Sequence, residues 1–372
     1  MVSHFGMFRG LCLIIAAATL SSVPTLARAQ SGDCSCLPRC RLFNRGCNDC
    51  GNGYEAAMSD GVAANGDPNA AFDLGEGAPA QTGSEFAILE NPGGYIDSAI
   101  VGSQFRMRFD AAYNNPVPDR AEFFYAQCGC FNGVPVANFA PGPPLPETSV
   151  DYQEFVPYLE RAFSDRFSLF VETPIRLINP DVNQNAGGFG DMNVGFKYAL
   201  IAHPCEYLTA QLRVYAPTGQ PELGLGNGHV SIEPSILYFR RYDENWTLQA
   251  ELRDWIPISN SVTPTGENFA GNVVRYGVGL GYDIWLCCGE CDSRRITPVV
   301  EVVGWTILDG FGFDGNNPAA GPIDQSGVTI VNAKFGARYT VNEHSLYAGY
   351  GVPMTNEVWY DSVFRLEYRR AF

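Results

Sequence analysis

The sequence predicts an all-β protein, an antiparallel up-and-down transmembrane β-barrel of about 12 strands with a Cys-rich N-terminal extension. Three observations predict it. From Gln104 onward apolar and polar residues alternate with period two, the connections between these runs alternate short and long, and the last run ends on Phe372.

The N-terminus reads as a signal peptide over residues 1–29. Arg9 supplies a positive start, Leu11 to Leu20 a short apolar run, and Ala27-Arg28-Ala29 the small residues of a cleavage site. Beyond it no stretch approaches the roughly 18 to 20 apolar residues of a membrane helix, so a membrane location requires a closed barrel. Removing residues 1–29 takes away Arg9 and Arg28, leaving 22 Lys and Arg against 40 Asp and Glu, a formal charge of −18. So acidic a chain, with no basic run, is not expected to bind nucleic acid.

Residues 30–100 show no sustained period and read as a Cys-rich periplasmic extension and linker. They open on Cys34, Cys36, Cys40, Cys47 and Cys50 and pass through an Ala/Gly/Asp stretch from Gly61 to Gly83. With Cys128, Cys130, Cys205, Cys287, Cys288 and Cys291 the exported chain holds eleven cysteines, an odd number. Export favours disulfides over a zinc site at the Cys47-x-x-Cys50 spacing, and sequence alone does not pair them.

The barrel is expected over 101–372. Strands are predicted at 104–113, 152–163, 166–176, 191–201, 206–216, 230–241, 245–256, 272–285, 296–308, 328–340, 344–352 and 361–372. The alternation is clearest in the eighth, where Val274, Tyr276, Val278, Leu280, Tyr282 and Ile284 interleave with Arg275, Gly277, Gly279, Gly281 and Asp283. The connections after the second, fourth, sixth and tenth runs are short. Those at 114–151, 177–190, 217–229, 257–271, 309–327 and 353–360 are longer and rich in Gly, Pro, Asn and Asp, as in a meander with short periplasmic turns and long outer loops. In the last strand Phe364, Leu366, Tyr368 and Phe372 share one face, the pattern of a terminal signal read by the barrel assembly machinery.

Apolar faces turned to outer-membrane lipid leave charged faces for the lumen. The lumen-lining candidates are Arg106, Arg108, Asp110, Glu172, Lys197, Arg213, Glu233, Glu251, Arg253, Arg275, Asp283, Glu301, Lys334, Arg338, Arg365, Glu367 and Arg369, with Arg176, Glu154, Glu160 and Asp191 of the same parity. Bases and acids nearly balance, which predicts either cross-linked ion pairs that partly fill the interior or a pore of weak charge selectivity. Trp246, Trp255, Trp285, Trp305 and Trp359 fall near strand ends, as in an interfacial girdle.

No catalytic, cofactor or metal site is expected. Asp181-x-Asn183-x-Asn185 opens like a calcium loop but lacks its glycine and closing Glu. His344 and Ser345 are adjacent in one strand and so point to opposite faces. Phosphate-loop, metalloprotease and nucleophile-elbow motifs are missing.

At Gly190-Asp191, Lys197-Tyr198, the Pro217-Thr218-Gly219 loop and Pro234 the sequence resembles the outer-membrane family named for the MetA pathway of phenol degradation. The resemblance covers about 150 to 372. It implies a channel or transporter-like barrel for small hydrophobic or aromatic molecules. The expected function is an outer-membrane channel or passive transporter for small solutes in a Gram-negative-type bacterium. The competing reading is a structural or anchoring barrel with a plugged lumen and a Cys-rich segment that binds a periplasmic partner. Oligomeric state is not legible in the sequence.

Overall fold

The computed structural model describes residues 87–120, 124–128, 142–258, 268–288, 293–317 and 320–372. The signal-peptide reading, the N-terminal cysteine cluster, Cys130 and Cys291 lie outside the described residues.

Twelve antiparallel crossings close on themselves. They are β1 (Gln104–Asn115), β2 (Val150–Ser164), β3 (Phe167–Glu172, continued as Ile175–Pro180) and β4 (Ala186–Phe189, continued as Met192–His203). Then come β5 (Glu206–Ala216), β6 (Ser231–Arg241), β7 (Trp246–Pro257) and β8 (Val273–Tyr282, continued as Ile284–Cys288). The last four are β9 (Ser293–Ile307), β10 (Thr329–Val341), β11 (His344–Pro353) and β12 (Ser362–Ala371). Each strand pairs with its sequence neighbours, and β1 also pairs with β12, Gln104 opposite Ala371 and Tyr113 opposite Ser362. Closure pairs the first strand with the last, the condition lipid imposes on a sheet, and among the described residues only short extensions such as Ala186–Phe189 and Ile284–Cys288 are paired on one side alone.

The connections alternate as the sequence predicts, with one difference. The connection expected at 177–190 is only 181–185, because β3 runs on to Pro180 and β4 begins at Ala186. Both strands break in the middle, at 173–174 and 190–191, and these breaks hid their outer halves from a search for unbroken alternation. At the tight turn between β10 and β11, Asn342 takes a left-handed φ of 48°, a conformation asparagine tolerates better than most residues.

Side-chain parity follows the alternation. Large apolar groups such as Leu159, Val194, Val278, Leu280, Val300 and Phe335 are exposed on the outside, whereas Arg338, Glu301, Lys197 and Glu367 are buried inside. A soluble protein has the reverse arrangement. Apolar outside and ionic inside is the pattern of a barrel whose solvent on the outer face is lipid.

The lumen is occupied. Residues 88–101, of which the sequence places 88–100 in a periplasmic extension, lie inside the barrel, with Ile88, Ile96, Ala99 and Ile100 at most 2% exposed. This segment enters and returns at one end. Ile88 and Leu89 of the inbound leg share an apolar cluster with Ala99, Ile100 and Val101 of the outbound leg, against Tyr207, Leu237, Phe239 and Ala371. These wall residues lie at the end of the barrel that carries the short turns. Tyr95 and Ile96, between the two legs, pack in a different cluster with Trp255, Trp305, Trp359 and Tyr360. The segment is a re-entrant plug.

Candidate functional site: an arginine sleeve around the plug

The plug is held by side chains and belongs to no strand of the sheet. Its sequence explains this. Asn91-Pro92-Gly93-Gly94 cannot join a ladder readily, since proline lacks an N–H and the glycines favour no one conformation. The peptide groups therefore need other partners, and the inward faces of the strands provide them.

Basic groups take the plug's oxygens. At its inbound end the Glu90 carboxylate meets Arg295 at 2.8 Å and also contacts Arg241, while Arg295 donates to Leu89 O at 2.7 Å. Arg369 donates to Asn91 O (3.2 Å) and Gly93 O (2.8 Å), and Arg338 donates to Pro92 O (2.9 Å) and Gly93 O (2.8 Å). Arg365 donates to Gly94 O and Arg275 to Tyr95 O. Asp97 sits among three guanidiniums, Arg213 at 2.8 Å, Arg253 at 3.0 Å and Arg106 at 3.6 Å. Carboxylates take the plug's amides. Glu301 accepts the N–H groups of Gly94, Tyr95 and Ile96 at 3.0 to 3.3 Å, and Glu251 accepts that of Asp97 at 3.1 Å.

The rest of the wall is an ion-pair network. Arg365 pairs with Asp110 at 2.6 Å, and Glu367 takes both Arg338 (2.7 Å) and Arg369 (2.6 Å). Arg106 meets Glu172 at 2.9 Å, Lys197 meets Glu160 at 3.0 Å and Arg176 meets Glu154 at 2.6 Å. Arg108 reaches Asp110 and Glu154, both at 3.2 Å. Arg253 pairs with Glu251 and, at 3.2 Å, with Glu233; Arg275 meets Glu251 at 2.7 Å. Asp283 is shared by Arg241 (2.9 Å) and Arg295 (3.6 Å). Lys334 donates to the Tyr360 hydroxyl at 2.9 Å and lies 3.8 Å from the centre of the Tyr95 ring, a cation–π contact. Each of these charges would cost several kcal/mol to bury unpaired.

Sequence reading missed four members. Glu90 and Asp97 were assigned to the linker, although the short apolar stretches Ala87-Ile88-Leu89 and Ala99-Ile100-Val101 flank them and signal burial. Arg295 fell just outside the predicted ninth strand, and Arg241 at the end of the sixth was not counted as inward.

The tryptophan girdle is corrected. Trp255, Trp305 and Trp359 are buried and pack in the aromatic cluster at the plug's tip, and only Trp246 is well exposed, at 46%. The reason is parity. Trp255 lies two residues from Arg253 and Trp305 four from Glu301, so each shares the inward face. Trp285 stacks under Arg295 and donates its indole N–H to Glu244 O at 3.0 Å.

The remaining candidates sit at the periphery. Phe364, Leu366 and Phe372 are exposed on the outer face of the last strand and its end. Asn183, in the loop with calcium-like spacing, donates to Glu147 and to Leu145 O, which closes that loop onto the β1–β2 connection. His344 contacts the Tyr368 hydroxyl at 2.8 Å, whereas Ser345 is buried against Arg338 on the opposite face.

No curated protein matches this chain. Among solved structures, an outer membrane channel from Pseudomonas putida F1 is 16% identical with a TM-score of 0.46, over 76% of this chain and 99% of that one. The NanC porin is 9% identical (TM-score 0.39; 72% and 98% covered), and the beta domain of a Bordetella autotransporter, BrkA, is 16% identical (TM-score 0.41; 73% and 100%). Residues 135–253 match the model of the family described as "Putative MetA-pathway of phenol degradation", and over that stretch this chain resembles that family.

Proposed function

We propose that this chain is an outer-membrane channel for small solutes, held shut by residues 88–101. The observation that carries the reading is the way the plug is bound. It is packed into a closed barrel but fastened by side chains alone, so it can leave without breaking a strand pairing. The apolar exterior supports the membrane location. The outward Phe364, Leu366 and Phe372 of the last strand support recognition by the assembly machinery. Aromatic side chains at the plug's tip, Trp255, Trp305, Trp359 and Tyr360, support a path that accepts hydrophobic or aromatic solutes. A disulfide-forming, exported environment is supported by the eleven cysteines that follow residue 29, Cys128 and Cys205 among them.

Planar-bilayer recording of the refolded full-length chain tests this. Discrete conductance steps are expected, brief at low voltage and longer as voltage displaces the plug. The second reading, an anchoring barrel, is favoured by the same filled lumen. Absence of conductance at every voltage would establish it over the channel.

A further inference from the structure

The wall's basic groups recognise the plug as an anion and as a row of carbonyl oxygens. Arginines from strands around the wall point at it, against two wall carboxylates, Glu301 and Glu251, that take its amides. Two of its side chains are themselves carboxylates placed between guanidinium groups. The Asp97 position is the more fully built. Arg106, Arg213 and Arg253 converge on it with side chains 7%, 7% and 2% exposed.

These three are not equally satisfied elsewhere. Arg253 keeps Glu251 and Glu233, and Arg106 keeps Glu172. The Arg213 guanidinium reaches Glu172 and Glu233 only at 3.9 Å, so its one short carboxylate contact is Asp97 at 2.8 Å. Withdrawal of the plug leaves Arg213 with no close counter-ion and uncovers the carbonyl-binding faces of Arg275, Arg338, Arg365 and Arg369. A planar guanidinium presents two parallel N–H donors matched to a carboxylate, and in a dry site it is costly to leave unpaired.

We infer that Arg106, Arg213 and Arg253 form a binding site for the carboxylate of a passing solute, and that Asp97 occupies this site as a built-in stand-in while the channel is closed. The inference rests on the channel reading and deepens it by naming the solute class, small organic carboxylates. The aromatic cluster beside Tyr95 lies next along the plug and would take an apolar or ring-bearing remainder of the same solute. Plug and solute then compete for one set of arginines, so the solute itself favours the open state.

The experiment compares full-length wild type with Asp97→Ala and the isosteric Asp97→Asn. The first readout is the midpoint of heat-modifiable gel migration in sodium acetate against sodium chloride at equal ionic strength. Acetate is expected to raise the midpoint of Asp97→Ala by several degrees beyond its effect on wild type, and Arg213→Gln in the same background to abolish that rise. Equal responses to acetate and chloride, or equal responses of variant and wild type, overturn the inference. The second readout is reversal potential in a KCl gradient. Both Asp97 variants are expected to shift toward anion permeability by several-fold, with millimolar benzoate reducing chloride current more in the variants than in wild type. An unchanged or more cation-selective pore overturns the inference while leaving the channel reading intact. A protein that never conducts sinks the channel reading, and the acetate readout still decides whether the site exists.

Discussion

Gly281 of β8 and Pro92 of the plug approach so closely that a Cβ on Gly281 would lie 2.7 Å from Pro92 Cγ. Gly277, two inward positions earlier along the same strand, stands in the same relation to Ile96, at 3.2 Å. The inward face of β8 is smooth where the plug crosses it: Gly277 and Gly281 leave room for the plug itself, and Gly279 between them leaves room for the Gln249 and Glu301 side chains.

Gly281→Val should therefore wedge the plug away from the wall while leaving the outer face of the strand unaltered. The expected outcome is a higher open probability in bilayers, and cleavage of the 88–101 segment by protease added to the folded protein. A closed, protease-resistant variant would mean that Pro92 can shift without loosening the rest.

Glu301 is the plug's principal amide acceptor. In Glu301→Gln the neutral amide offers only one oxygen to the N–H groups of Gly94, Tyr95 and Ile96. The closed state should lose about 1–3 kcal/mol, the cost of poorly satisfied buried donors. Open probability measured against voltage checks this, and a closed-state preference equal to wild type would exclude it.

Glu367 binds two arginines and stands 3.9 Å from a third, Arg106. Glu367→Gln should destabilise the barrel by about 3–5 kcal/mol, because it strands buried guanidinium groups. Urea unfolding in detergent or lipid measures the loss. Adding Arg369→Gln should recover part of it, since the stranded charge is then removed as well.

Leu280 lies on the outer face near the middle of β8 and is 48% exposed. Leu280→Arg should cost about 2–4 kcal/mol in lipid, the penalty for a cation on the membrane face near mid-depth. The check is unfolding in bilayers against unfolding in detergent micelles, with the larger loss expected in bilayers.

The barrel was legible because each strand advertises two faces through period-two alternation, and a closed meander needs only that pattern and its turns. Inward charges such as Asp110, Lys197 and Glu301 were legible for the same reason. The plug was not. Its residues have no period, because side chains hold its backbone where a ladder would otherwise repeat. Trp255 and Trp305 lie near strand ends, as girdle residues do, but they share the parity of Arg253 and Glu301, which turns them inward. The partners of each arginine depend on contacts across the lumen, such as Arg338 with Gly93, which are far apart in sequence.

Both legs of the 88–101 segment share one apolar cluster at the same mouth of the barrel. In topological terms the described segment is a bight of rope laid into a ring from one side, both of its legs at one mouth. It can be drawn out whole while the hoop of strands stays closed and β1 stays paired to β12. Release as proposed therefore needs no change in the ring of strand pairings, and the segment's travel is limited by its tether at Gln104, where it becomes the wall itself.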